Sequence, residues 1–150
     1  METSPGAYFD TSATVKLYLA EAGSVQIEQL YDETPQVFCH EIGFVETRAA
    51  LAAACRQQRV DDEQHRTLVT DFRYDWINNF SSMPTDEPLL ERAAELAEGF
   101  ALRGYDAIHL ASADRIRLHL PGLRFVSFDR DLNRAARLLG LPLPHFVPLP

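Results

Sequence analysis

Lysine is almost absent from this chain: Lys16 is the only one in 150 residues, every other basic side chain is arginine, and 22 Asp and Glu against 14 Lys and Arg leave a formal charge of -8. An overall field of that sign rules out attraction of polyanions by net charge. Cysteine is nearly as scarce. Cys39 and Cys55 are spaced for neither a zinc site nor a redox pair, which predicts reduced, buried thiols and a cytoplasmic setting. Long apolar runs are missing too, the Ala49–Cys55 stretch being far too short to span a bilayer, and Met1–Gly6 has neither the basic region nor the apolar core of a signal peptide. No export and no membrane partner are therefore expected. Repeats, low-complexity tracts and linker-like segments are also lacking, and 46% hydrophobic residues over this length can build one substantial core, so residues 1–150 are read as a single domain.

The charge that is present is polarised. Residues 1–99 carry 7 basic and 18 acidic side chains, a net of -11, whereas residues 100–150 carry 7 and 4, a net of +3. The basic end consists of Arg103, Arg115, Arg117, Arg124, Arg130, Arg134 and Arg137. Such a run suits phosphate, because the guanidinium is a planar fork of donors, and it equally suits a solvated helix face.

Patterning gives the order βαβαα(β)ααβαβ, which predicts an α/β fold with a parallel or mostly parallel sheet. Ala7-Tyr8-Phe9 runs straight into Asp10-Thr11-Ser12-Ala13, so Asp10 stands where a buried strand hands over to a helix, either as a helix cap or at the sheet edge where chemistry collects. Gln36–Cys39 reads as a second strand, feeding a helix from about Glu41 to Gln57. On that helix Ile42, Ala49, Ala50 and Ala53 share the face of Glu46, which predicts a carboxylate on the packed side. Asp61 and Gln64 form a capping-box pattern for a helix to about Asn78, with Leu68, Phe72 and Trp76 as a core stripe. Phe80–Met83 reads as a short strand, with Thr85 capping the helix after it. Gly104 then breaks one helix and Asp106 opens another, with His109 three residues on as either a support for the acid or a satisfied core histidine. Arg124–Phe128 is a strand ending at Asp129, whose face Ser127 shares by two-residue alternation. Leu143–Val147, among three prolines, is expected at a sheet edge.

Asp10, Glu46, Asp106 and Asp129 thus have placements that converge. Four carboxylates together repel by roughly 4 kcal/mol per contact pair at an effective dielectric near 20, so a hard divalent cation is their natural partner, and oxygen ligands favour Mg²⁺ or Mn²⁺. Ions so held activate water and clamp phosphate, which implies phosphodiester hydrolysis.

Tyr8–Ala13, Phe44–Leu51, Gly104–Ala111 and Phe125–Asp129 together resemble the motifs of the PIN-domain ribonucleases, and more closely the toxins of VapBC-type toxin-antitoxin pairs. The resemblance implies a three-layer α/β/α sandwich with sheet order 3-2-1-4-5 and a Mg²⁺-dependent endoribonuclease, with Asp10, Glu46, Asp106 and Asp129 as catalytic and metal residues and Thr11, Ser12 and Ser127 in support. It also implies RNA as substrate, a homodimer and a cognate antitoxin. Asp131, two residues after Asp129, competes for the fourth position. A dehalogenase-type phosphatase needs an acid where Ser12 stands, and a receiver domain needs a lysine near the last strands. A non-catalytic PIN-like module that binds RNA or protein remains the alternative.

Overall fold

The computed structural model describes residues 6–150; Met1–Pro5, most of the leading stretch considered above for signal character, lie outside the described residues. In chain order the elements are β1 (Gly6–Phe9), α1 (Thr11–Thr14, prolonged by a 3-10 turn at Val15–Leu17), α2 (Ser24–Glu33), β2 (Gln36–His40), α3 (Ile42–Arg56), α4 (Asp62–Asn78), β3 (Phe80–Met83), α5 (Glu87–Phe100), α6 (Gly104–Ile116), β4 (Arg124–Val126) and α7 (Arg130–Leu139). All strand pairs are parallel, and the sheet order is β3-β2-β1-β4.

Central β1 is buried along its whole length, as a parallel strand covered on both faces must be. Its side chains alternate between two cores. Tyr8 joins Leu89, Leu96, Leu110, Phe125 and Leu132 beneath α5, α6 and α7, whereas Ala7 and Phe9 join Ile27, Leu30, Val37 and Val126 beneath α2. The three-layer α/β/α architecture follows from that alternation. A third cluster, Leu19, Leu51, Ala54 and Phe72, pins α3 to α4, and the Leu68, Phe72 and Trp76 stripe lies in or against it as its spacing predicted. The Asp61–Gln64 capping box is present, with Asp61 Oδ1 accepting from Gln64 N–H at 2.7 Å and Gln64 Oε1 from Asp61 N–H at 2.8 Å.

Four expectations are corrected. Leu143–Val147 is not a strand: Phe125 N–H donates to Pro142 O at 2.9 Å, but prolines at 142, 144 and 148 supply no N–H groups to carry a ladder further, so among the described residues the sheet has four strands rather than five. The cap of α5 is Asp86, accepting from Leu89 N–H at 2.9 Å, because Thr85 is engaged with His40 and Glu41. The buried stripe of α3 is Gly43, Thr47, Leu51 and Ala54; Ala49 is exposed, and Glu46 flanks the stripe instead of lying on it. Of the two free thiols only Cys39 is buried, Cys55 being partly exposed.

The chain goes from β1 outward to β2 and β3, then returns through α5 and α6 to place β4 on the other side of β1. The switch point of the sheet therefore falls between the carboxyl ends of β1 and β4, where an open α/β sheet forms its crevice.

Candidate active site

Asp10 and Asp129 follow the two strands that flank this switch point. Asp10 caps α1, its Oδ1 accepting from Ala13 N–H at 3.0 Å and from the Ser12 hydroxyl at 2.6 Å. It is nonetheless only 4% exposed, so capping and placement in the crevice coexist. Burial pushes its carboxyl above the usual range, against the pull of His109 and of hydrogen bonds from Ser12, Ser127 and Ala13 N–H. Asp129 caps α7 in the same manner, accepting from Leu132 N–H at 2.9 Å, and its own N–H donates to Ser127 Oγ at 3.0 Å. Ser12 ties the two junctions together, since its hydroxyl accepts from Phe128 N–H at 2.8 Å and lies 3.4 Å from Ser127 Oγ.

The two helical acids approach from the sides. Glu46 reaches from α3 so that its Oε1 accepts from the Thr11 hydroxyl at 2.8 Å and meets His109 Nε2 at 2.7 Å. Burial raises its pKa, but the His109 and Thr11 hydrogen bonds outweigh it and hold the carboxyl below the usual range. Asp106, in the first turn of α6, is raised by burial, lowered by Arg103 and raised again by the charge of Asp129. Arg103 Nε donates to Asp106 Oδ2 at 3.3 Å, and another guanidinium nitrogen stands 3.9 Å from Asp129. His109 interacts electrostatically with Asp10, Glu46 and Asp106, and Asp106 with Asp129, so the structure brings all four into one network. Asp131 stands apart, exposed, lining a hollow with Gly99, Ala101 and Arg134.

Of the arginine run only Arg103 touches the acids. Arg115 is held bidentately by Asp86 at 2.7 and 2.8 Å, and Arg117 pairs with Asp114 at 2.6 Å. Arg130, Arg134 and Arg137 are exposed along α7, the solvated face that the pattern equally allowed. Sequence reasoning missed what Tyr8 and Arg103 do here. Tyr8 reads as one more apolar strand residue, whereas Arg103, three residues before Asp106, carries a detectable helical ion-pair spacing.

The donor set suits a hard cation in kind. Asp10 is buried with no Lys or Arg at ion-pair distance among the described residues, and oxygen atoms dominate its surroundings. As the side chains stand, no three His, Cys, Asp or Glu among the described residues enclose an ion, and Arg103 supplies the positive charge between Asp106 and Asp129.

A parallel sheet with acids at the β1/β4 switch point fits the PIN domain that the four motifs resemble. The model of that family matches residues 7–138, and the chain belongs to it. Among its relatives, Ribonuclease VapC45 of Mycobacterium tuberculosis is 35% identical over 139 residues, covering 91% of this chain and 92% of the relative. The fold is shared with the crystal structure of Mycobacterium tuberculosis VapC20, a sarcin-ricin loop cleaving toxin (TM-score 0.67, 20% identity, 86% of this chain and 94% of that one), and with a toxin-antitoxin complex from Klebsiella pneumoniae (TM-score 0.59, 21% identity, 82% and 86%).

Proposed function

We propose that the protein is a metal-dependent endoribonuclease acting as the toxin of a type II toxin-antitoxin pair, with Asp10, Glu46, Asp106 and Asp129 as its catalytic and metal-holding carboxylates. The observation that carries this reading is Asp10, a buried carboxylate at the switch point of the sheet with no Lys or Arg at ion-pair distance among the described residues. The 35% identity to a protein named as a ribonuclease supports the substrate class.

The chain's own contribution is positional. Hydrogen bonds from Ser12, Ala13 N–H and Leu132 N–H orient the two strand-end acids, and Thr11 and His109 orient Glu46. Mg²⁺ or Mn²⁺ bound among the four carboxylates would supply Lewis-acid polarisation of the phosphate and a water of lowered pKa. Arg103 must yield Asp106 and Asp129 for such binding, and its guanidinium is then free for the RNA backbone.

The toxin reading further gives the protein a cognate antitoxin, homodimeric assembly and a cytoplasmic site of action. No helix among the described residues is long and apolar enough to cross a membrane. A non-catalytic PIN-like module that binds RNA or protein is favoured by one observation, the Arg103 guanidinium that already offsets part of the charge on two of the acids. RNA cleavage with Mg²⁺ or Mn²⁺, abolished by EDTA and by Asp10→Asn in folded protein, is the expected result. Cleavage that resists EDTA overturns metal dependence, and folded protein that cuts no RNA supports the module.

A further inference from the structure

His109 makes its two contacts in opposite directions, one into the core and one into the crevice. It is 2% exposed on α6, yet it lies in a chain of short hydrogen bonds that crosses the sheet. The chain begins at the end of β2, where His40 N–H donates to the Tyr8 hydroxyl at 2.9 Å. The Tyr8 hydroxyl is 2.6 Å from His109 Nδ1, and on the far side of the ring Nε2 is 2.7 Å from Glu46 Oε1. The same Glu46 oxygen accepts from Thr11 at 2.8 Å.

The direction of the protons follows from the partners. A carboxylate oxygen accepts only, so Nε2 must carry the hydrogen; a lone pair there would face another lone pair at 2.7 Å. On the other side of the ring the Tyr8 hydroxyl, which accepts from His40 N–H and is also hydrogen-bonded with Ser112, holds Nδ1 at 2.6 Å. Tyr8 is fully buried, so neither group has water as an alternative partner. The ring is thereby held between Tyr8 and Glu46 with its Nε2 donor aimed at the carboxylate.

We infer that His109 is a positioning residue for the nuclease centre: held by Tyr8 in one orientation, it fixes the Glu46 carboxylate at the crevice. Histidine–carboxylate pairs beside metal centres act in this way by restricting where an oxygen can point, and losing such a partner costs about 10–100-fold in affinity or activity. This inference rests on the reading of Glu46 as a site carboxylate. The competing description, a core histidine that has merely found partners, predicts no effect beyond stability.

Two amides separate these descriptions. Gln at position 109 reaches about as far as imidazole Nε2 and can still donate to Glu46, whereas Asn reaches only as far as Nδ1 and can satisfy Tyr8 but not Glu46. With a labelled single-stranded RNA of mixed sequence and Mg²⁺, kcat of H109N is expected at least ~10-fold below that of H109Q with KM little changed. The Mg²⁺-induced rise in melting temperature, read without RNA, should also be smaller in H109N. Equal kcat and an equal Mg²⁺ response in the two variants overturn the inference. Nitrogen NMR of the His109 ring in the wild-type protein tests it without any variant: a proton on Nε2 is expected, and an Nε2 that carries none overturns it. Glu46→Gln controls for the underlying reading. Full cleavage by that variant removes Glu46 from the site and His109 with it, whereas loss of cleavage there, with H109N equal to H109Q, defeats the positioning role alone.

Discussion

The two strand-to-helix junctions at the switch point are built to one local plan and end in different environments. Each places an aspartate as N-cap of the following helix, accepting from the N–H three residues on, Ala13 for Asp10 and Leu132 for Asp129. Each aspartate also has a serine two residues away, Ser12 after Asp10 and Ser127 before Asp129. Yet the Asp10 side chain is almost wholly buried with no Lys or Arg at ion-pair distance, while that of Asp129 is 35% exposed and within 3.9 Å of Arg103. A capping pattern alone therefore does not distinguish a structural acid from a site acid. What surrounds the junction sets what each acid costs the fold, because desolvation makes a carboxylate costly unless a cation compensates it.

The strongest test of that contrast is catalytic. Asp10→Asn is expected to lower RNA cleavage at least ~100-fold while keeping the fold, since Asn remains a good N-cap and only the charge is lost. Glu46→Gln, Asp106→Asn and Asp129→Asn should fall in the same direction, with the exposed Asp129 least affected of the four. Asp131→Asn should cleave like wild type, and a larger loss there than at Asp129 would reverse the assignment of the fourth acid.

Metal binding should separate the junctions thermally. Mg²⁺ at about 100 times its dissociation constant adds roughly 2.7 kcal/mol if only the folded chain binds it, or about 5 to 10 °C in melting temperature for a domain of this size. That rise should shrink in Asp10→Asn. An unchanged rise rejects Asp10 as a ligand.

In EDTA the sign inverts. Burial raises the Asp10 pKa in the folded state, so its protonated form contributes stability that is fully present below the unfolded value and is lost as pH rises through the folded one. Wild type should therefore lose stability relative to Asp10→Asn over that rising-pH window, as read from melting temperatures across pH. Parallel curves would mean that Asp10 pays no burial penalty.

The second junction has its own anchor in Asn133, fully buried, whose Nδ2 donates to Ser127 O and Pro148 O at 2.8 Å each. Asn133→Ala strands both carbonyls and should cost about 2–3 kcal/mol by chemical denaturation. The smallest effect is expected away from both junctions, at Ala101, which ends α5 in the left-handed region at φ 56°. Ala101→Gly should stabilise by about 0.5–1 kcal/mol and leave cleavage untouched, a control that separates stability from the site.

Local signals were legible where one stretch of chain decides the outcome. The capping box at Asp61 and the strand at Phe80–Met83 are each set by a handful of neighbouring residues, whereas the helix expected to open at Asp106 begins at Gly104, after Ala101 has ended α5. The failures fall where distant groups compete. Thr85 looked like a cap until His40 and Glu41, more than forty residues earlier in the chain, engaged its hydroxyl at 2.9 and 3.0 Å. The Ala-rich stretch around Glu46 has no periodicity sharp enough to say which small residues face the core, so a prediction from face sharing missed by about one position on the helix.

Sequence by itself determined the class of fold and the parallel sheet and nominated four acids, because strand burial, helix capping and apolar spacing are local properties. Only the tertiary structure decided that Asp10 is buried away from every Lys and Arg among the described residues, that Arg103 spans Asp106 and Asp129, and that Tyr8 and His109 stand behind Glu46. The last of these joins positions 101 and 63 residues apart in the chain. No local pattern encodes such contacts, since they exist only once the strand order has brought β1, α3 and α6 to one edge of the sheet.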